Sequence, residues 1–234
     1  MNVQDEVLNH LFRADLYRVL ALAFDTPTDE SVKEIQEIAK ELLEFISRVE
    51  NFKSIQNSLG EFLKNFPPKA REIEGEYHRL FNTQATCPSS EGNFQMVERG
   101  PIIGDVCAFY EAFHMKVVER QGPPDSLKME LGFMSWMALK TVQALEQDLE
   151  EENKVVQEAQ GKFLGSHLGR WIKPFSNRLK EVTFNTFYTA LADLLVQWVY
   201  EDCKYLKATP VSLPDFLLKE DKEEEVSCSL GNFK

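Results

Sequence analysis

No stretch of this sequence reaches the roughly eighteen uncharged apolar residues that a helix needs to cross a bilayer, and the longest candidate, 183–192, is stopped by Asp193. No membrane span is expected. Cysteine is scarce: Cys87, Cys107, Cys203 and Cys228 are too few for a disulfide framework in 234 residues, and no two lie within four residues of each other as a zinc site would need. They read as free thiols in a reducing compartment. Basic residues are in deficit, 26 Lys and Arg against 38 Asp and Glu, leaving a formal net charge of −12. Such a chain repels phosphate backbones, so nucleic acid is not expected as a partner, whereas a basic polypeptide is attracted. The opening Met1-Asn2-Val3-Gln4-Asp5-Glu6 has neither the basic start nor the apolar stretch of an export signal, which predicts a cytoplasmic protein.

What is present is helical periodicity. Val32, Ile35, Ala39, Leu42, Ile46 and Val49 step by three and four along one helix face. Ile55, Leu59, Phe62 and Phe66 repeat the pattern until Pro67-Pro68 stops it. Further helices are predicted through Ile73, Tyr77 and Leu80, from Ile103 to Val117, from Leu127 to Leu149, and over 184–206, whose wide apolar stripe places it centrally. Asp25-Thr26-Pro27-Thr28 closes the first helix, and Thr28 suits a capped start to the second. No alternating strand pattern of useful length occurs. The expected fold is therefore all-α, a single-domain helical bundle over 1–207 with one long loop at about 82–100 and a hinge at about 121–125. An acidic tail, 208–234, follows it. The loop is rich in Ser, Thr, Asn and Gly; loops of that length are usually functional or disordered, and Phe94, Met96 and Val97, apolar anchors that a solvated linker would not need, favour function.

Chemistry-bearing motifs are few. Glu111-Ala112-Phe113-His114 is a Glu-x-x-His in a predicted helix, which would set two metal ligands on one face, but no second copy accompanies it as a di-iron bundle requires. Gly165-Ser166-His167-Leu168-Gly169 imitates a nucleophile elbow without the preceding strand and reads as a helix irregularity. Gly161-Lys162 lacks the upstream glycine and the following Ser or Thr of a phosphate loop. No cofactor is implied. Three functional classes stay open at this point: a binding protein for an apolar or basic polypeptide, a metal-binding protein or enzyme using Glu111 and His114, and an adaptor for an unrelated basic partner.

Several segments taken in order resemble the TorD/DmsD/NarJ family of molybdoenzyme-maturation chaperones. Tyr77-His78-Arg79-Leu80-Phe81 resembles its Tyr-x-x-Leu-Phe, and Cys87-Pro88-Ser89-Ser90-Glu91 its Cys-Pro-x-Tyr-Glu. Ala108-Phe109-Tyr110-Glu111-Ala112-Phe113 resembles its Phe-Tyr-x-Ala-Phe helix, and the segment from Pro124 to Met134 its Pro-Asp-His-Leu-x-x-Glu-Leu-x-Phe-Met. The Cys-Pro variant is most similar to the NarJ-like delta-subunit branch. Two departures stand out: Ser90 replaces the usual tyrosine, and Ser126 replaces a histidine of the hinge implicated in client binding.

The resemblance implies a cytoplasmic, non-enzymatic chaperone, monomer or homodimer. It would bind the apo catalytic subunit of a molybdopterin oxidoreductase, at a twin-arginine leader peptide or in the mature region, while molybdenum cofactor is inserted and export is delayed. On that reading the candidate client-binding residues are Tyr77, Phe81, Glu91, Phe94, Tyr110, Pro124, Asp125, Ser126, Glu130 and Trp136. Core packing is an alternative role for Tyr77, Phe81 and Trp136, and helix capping for Asp125.

Overall fold

The computed structural model describes residues 3–82, 84–95, 98–116 and 122–215. Nine α-helices follow one another among them: α1 (Val3–Ala23), α2 (Asp29–Phe45), α3 (Gln56–Lys64), α4 (Glu74–Phe81), α5 (Arg99–Ala112), α6 (Leu127–Glu146), α7 (Glu150–Ser166), α8 (Leu168–Val182) and α9 (Thr186–Tyr205). The all-α expectation holds. No strand forms in the described residues, where the one extended pairing is an isolated antiparallel bridge between Ser90 and Ser126. Within the hinge, Gln121 lies outside the described residues, as do Thr83, Met96 and Val97 of the loop.

Local chemistry sets most boundaries. Thr28 accepts from the Ser31 amide while the Ser31 hydroxyl accepts from the Thr28 amide, a reciprocal cap that starts α2. Three helices end in left-handed residues that are not glycine: His114 after α5, Asp148 after α6 and Lys207 after α9. In each, the next amide returns to a carbonyl five residues back, as Met115 does to Tyr110, Leu149 to Ala144 and Ala208 to Cys203, which satisfies carbonyls the helix leaves open. These stops fall short of two sequence-predicted ends: α5 closes at Ala112, not Val117, and α6 at Glu146, not Leu149. The region 150–182, which carried no separate helix assignment, forms α7 and α8, broken at His167. The Gly165–Gly169 irregularity is thus a true helix break. Phe184, expected in the stripe of α9, precedes that helix and is 90% exposed, with the Arg79 guanidinium over its ring.

The core has two aromatic centres. Phe12, Tyr17 and Phe52 surround Trp198, and Phe109, Tyr110 and Phe163 surround Phe133. Each fully buried ring of this kind contributes about 2–3 kcal/mol through lost apolar exposure. Helix α1 packs along α6, and α9 lies against α1, α3, α7 and α8.

Near the first aromatic centre sits a fully buried ion pair. Arg13 Nε donates to Asp202 Oδ1 at 2.5 Å and its Nη2 to Gln160 Oε1 at 2.7 Å, while the Tyr17 hydroxyl donates to Asp202 Oδ2 at 2.7 Å. Burial and the neighbouring guanidinium push the His10 imidazole down to about 2, so its neutral Nδ1 accepts from Arg13 at 2.7 Å. Helices α1, α7 and α9 are joined here through groups whose charges cannot reach water. Replacing Arg13 with Met should therefore cost about 3–5 kcal/mol, because Asp202 would be left buried without a counter-ion. Urea unfolding should show Asp202→Asn, made on the Arg13→Met background, recovering part of that loss; a double variant no more stable than Arg13→Met alone would contradict the pairing.

Candidate functional site

Two segments that carry the family motifs, 87–94 and 122–130, meet over the second aromatic centre. Their contact is backbone first: the Glu91 amide donates to the Asp125 carbonyl and the Leu127 amide to the Ser89 carbonyl, both at 2.8 Å. Ser90 and Ser126, the two departures from the family pattern, are the pair facing each other in this bridge. Both are buried, and the Ser126 hydroxyl has no protein partner among the described residues.

Asp125 then reinforces the join with its side chain. Its fully buried carboxylate accepts from the Gly92 amide at 3.1 Å and, in two-pronged fashion, from Arg99 Nε at 2.9 Å and Nη2 at 2.6 Å. The expected cap of α6 does not form: Ser126 holds the N-cap position, and the aspartate reaches across to the loop instead. Gly92 is required at its position, since a Cβ there would lie 2.5 Å from Arg99 Cγ and 3.1 Å from the Asp125 carboxylate. The Tyr110 hydroxyl donates to the Pro124 carbonyl at 2.8 Å, tying α5 to the same hinge.

Behind this clamp lie two more buried carboxylates. Glu91 Oε2 is 2.9 Å from His167 Nδ1, at the break between α7 and α8. Glu130 accepts from the Trp171 indole at 3.1 Å through Oε2, while its Oε1 has no partner among the described residues. Burial, then repulsion from Glu91, holds the Glu130 carboxyl well above the usual carboxylate range, so it tends to keep its proton. Phe94 packs its ring on Trp171 and Phe175, anchoring the loop from below. Burial pushes the Cys87 thiol up to about 12, which leaves it an inert core group.

The ten sequence-predicted site residues fall into three groups. Glu91, Phe94, Tyr110, Asp125, Ser126 and Glu130 converge on the clamp and are buried. Tyr77 and Phe81 stand apart on α4, where Phe81 contacts Tyr77, Phe24 and Tyr188 at the core edge and Tyr77 is buried. Trp136 is 39% exposed on α6, its indole donating to the Phe113 carbonyl at 3.1 Å, and Pro124 is half-buried. Residues that sequence reading missed are Arg99, His167 and Trp171, which supply the counter-ion and the partners of the buried acids. Glu111 and His114 do not share a helix face: α5 ends between them, and His114 takes the left-handed turn. Among the described residues no group of three or more His, Cys, Asp and Glu is arranged to hold a metal ion.

The described residues are thus an all-helical scaffold in which buried polar side chains lock a long loop onto a hinge. Residues 29–177 match the family described as nitrate reductase delta subunit, and the chain belongs to that family. That span contains the whole clamp, from Glu91 to Trp171, but neither Arg13 nor Asp202. A chlorate reductase assembly chaperone protein from Ideonella dechloratans is 34% identical over 139 residues, covering 55% of this chain and 70% of that protein. A crystal structure provisionally described as a redox enzyme maturation protein from Archaeoglobus fulgidus aligns over 83% of this chain and 93% of that one, at 14% identity and a TM-score of 0.46.

Two outcomes follow for the clamp. Asp125→Ala removes the partner of both Arg99 and the Gly92 amide and should cost about 2–4 kcal/mol in urea unfolding, with faster proteolytic cutting within 82–100. Unchanged cutting would show that the loop is held by something else. Glu130→Gln keeps an acceptor for Trp171 and removes a carboxyl that native burial penalises when charged. Because the native carboxyl binds its proton more tightly than the unfolded one, wild-type stability falls as pH rises above the ordinary glutamate range. The variant should melt about 2–4 °C higher at pH 8 and no higher at pH 4, and equal melting at both would contradict the assignment.

Proposed function

We propose that this protein is a system-specific chaperone of a molybdopterin oxidoreductase. It binds the cofactor-free catalytic subunit in the cytoplasm, holds it while the molybdenum cofactor is inserted, and keeps it from premature twin-arginine export. The observation that carries this reading is membership of the family together with the match to a relative named a chlorate reductase assembly chaperone protein. The clamp supports it physically. Six of the predicted site residues are turned inward, where they set the position of the loop and hinge, and a rigidly placed surface recognises a partner at lower entropic cost than a floppy one.

On this account Glu91, Phe94, Tyr110, Asp125, Ser126 and Glu130 position the binding surface, and the client touches Pro124, Trp136 and the outer edge of the loop. Tyr77 and Phe81 hold α4 against the core. No bond is made or broken: differential affinity for the cofactor-free client is sufficient, and release follows when cofactor changes the client's shape. Of the acidic tail expected over 208–234, residues 216–234 lie outside the described residues, and 208–215 rest against α8, the Leu213 amide donating to the Arg170 carbonyl at 2.8 Å.

The test is co-expression of the tagged full chain with molybdopterin-oxidoreductase catalytic subunits of its own organism, in hosts able and unable to make molybdenum cofactor. Capture of one of them from the deficient host, and its loss from the replete one, is expected. Failure to capture any in either would refute the proposal. Trp136→Ala should lower the captured amount several-fold while the chaperone stays folded and helical by circular dichroism.

A further inference from the structure

Proline inside a helix brings no amide to the carbonyl four residues back, and its ring pushes that carbonyl aside. Pro174 stands in the middle of α8, buried, so the Arg170 carbonyl has no helical donor. It finds one far along the chain in the Leu213 amide, at 2.8 Å. Two side chains of α8 hold the same segment: Arg170 Nε donates to the Val211 carbonyl at 3.4 Å, and Asn177 Nδ2 to Asp215 Oδ1 at 2.8 Å. Ala208 and Leu213 pack against the core. The segment crosses the helix where no side chain fits, since a Cβ on Gly169 would lie 2.9 Å from the Pro210 ring and 2.5 Å from the Leu164 carbonyl.

Arg170, Pro174 and Asn177 are spaced by four and three and share one face of α8. His167, Trp171 and Phe175 share another, and that face carries the clamp: His167 holds Glu91, Trp171 holds Glu130, and both Trp171 and Phe175 hold the Phe94 ring. The same turn of helix therefore has the loop on one side and residues 208–215 on the other. That turn has little support of its own. It opens directly after the break at His167 with no side-chain cap among the described residues, and Pro174 deprives it of a backbone bond. The family match ends at residue 177, so the seat of the segment lies within the matched span and the segment itself outside it.

We infer that residues 208–215 are a strap that latches the start of α8 through the carbonyl Pro174 leaves open, and that its docking sets how firmly the clamp holds the loop over 84–94. With the strap docked, the turn 167–171 is fixed from both sides and the loop stays closed. When the strap lifts, the Arg170 carbonyl turns to water, the turn loosens, and Glu91 and Phe94 lose the fixed position of their partners. The strap can lift without unfolding the bundle, because its bonds are few and lie at the surface, where Val211 is 76% exposed. The latch is a property of the chain alone and does not depend on the chaperone reading.

Limited proteolysis and residue-resolved hydrogen exchange of the full-length chain test it. Leu213→Pro removes the donor and should raise cutting within 208–215 about fivefold or more. Exchange of the Glu91 amide and of the Trp171 indole should quicken severalfold with it, while amides inside α9 keep their wild-type rates. Pro174→Ala offers the Arg170 carbonyl a helical amide and so makes the strap dispensable: on that background Leu213→Pro should still free 208–215 but leave Glu91 and Trp171 protected. Cutting within 208–215 that rises in Leu213→Pro with no change at Glu91 and Trp171 would make the segment a passive appendage and overturn the inference. Quickening of α9 in step with the clamp would overturn it too, since the loss would then be of the whole fold. Loosening of the clamp to the same extent in both backgrounds would show that the Arg170 carbonyl is not the point of coupling, which likewise overturns it.

Discussion

The Asp125 carboxylate has no contact with water, and an ion so placed persists only where its neighbours replace the hydration it has lost. Here they are the Gly92 amide and both prongs of Arg99, all delivered from the far side of a long loop. That requirement couples the loop to the start of α6: neither segment can leave without stranding a charge. The backbone bridge between Ser90 and Ser126, the inward path of Glu91 to His167 and the burial of Phe94 on Trp171 all follow from the same docking. A polar loop of mostly small residues would not hold one position by apolar contact alone. It does so here because one carboxylate is satisfied only when the loop is closed.

The same logic organises the other end of the molecule, with different residues. Arg13 and Asp202 join the first and last helices through a pair as dry as Asp125. One ionic node closes the bundle and the other shapes a surface on it, and only the second lies within the span that matches the family. The surface-shaping node also contains both positions at which this sequence departs from the family pattern, placed opposite each other. Against the motif this sequence resembles, the chain has two small serines facing each other at the point where loop and hinge meet.

Much of the fold was legible in the sequence because apolar spacing of three and four is a local signal. Val32 through Leu42 and Leu127 through Leu145 declare their buried faces, and Pro67-Pro68 and Thr28 declare boundaries. What was not legible was nonlocal or conformational. The stops at His114 and Asp148 depend on left-handed residues other than glycine, and the break at His167 leaves no mark beyond an oddly glycine-rich run. For the site, motifs located the right segments but not their orientation: Glu91 and Asp125 sit in chain breaks, where a carboxylate is ordinarily solvated, and only the distant Arg99 and His167 explain their burial. Arg13, Glu130 and Asp202 did carry a readable signal. Each sits in step with apolar neighbours, Arg13 with Leu16 and Tyr17, Glu130 with Leu127 and Met134, and Asp202 with Trp198 and Val199, and a charge inside an apolar stripe has to find a partner.

A clamp that positions a binding surface differs from a set of side chains that touch a client in one measurable respect: it protects backbone amides before any partner is present. Amide hydrogen exchange, resolved by residue in the free full-length chain, reads this directly. The account predicts that Glu91, Gly92 and Leu127 exchange slowly and together, at rates near those of the α6 interior, and that Asp125→Asn releases all three while leaving α9 protected. Fast exchange at these three amides in the free wild-type chain, with protection gained only on client binding, would contradict it.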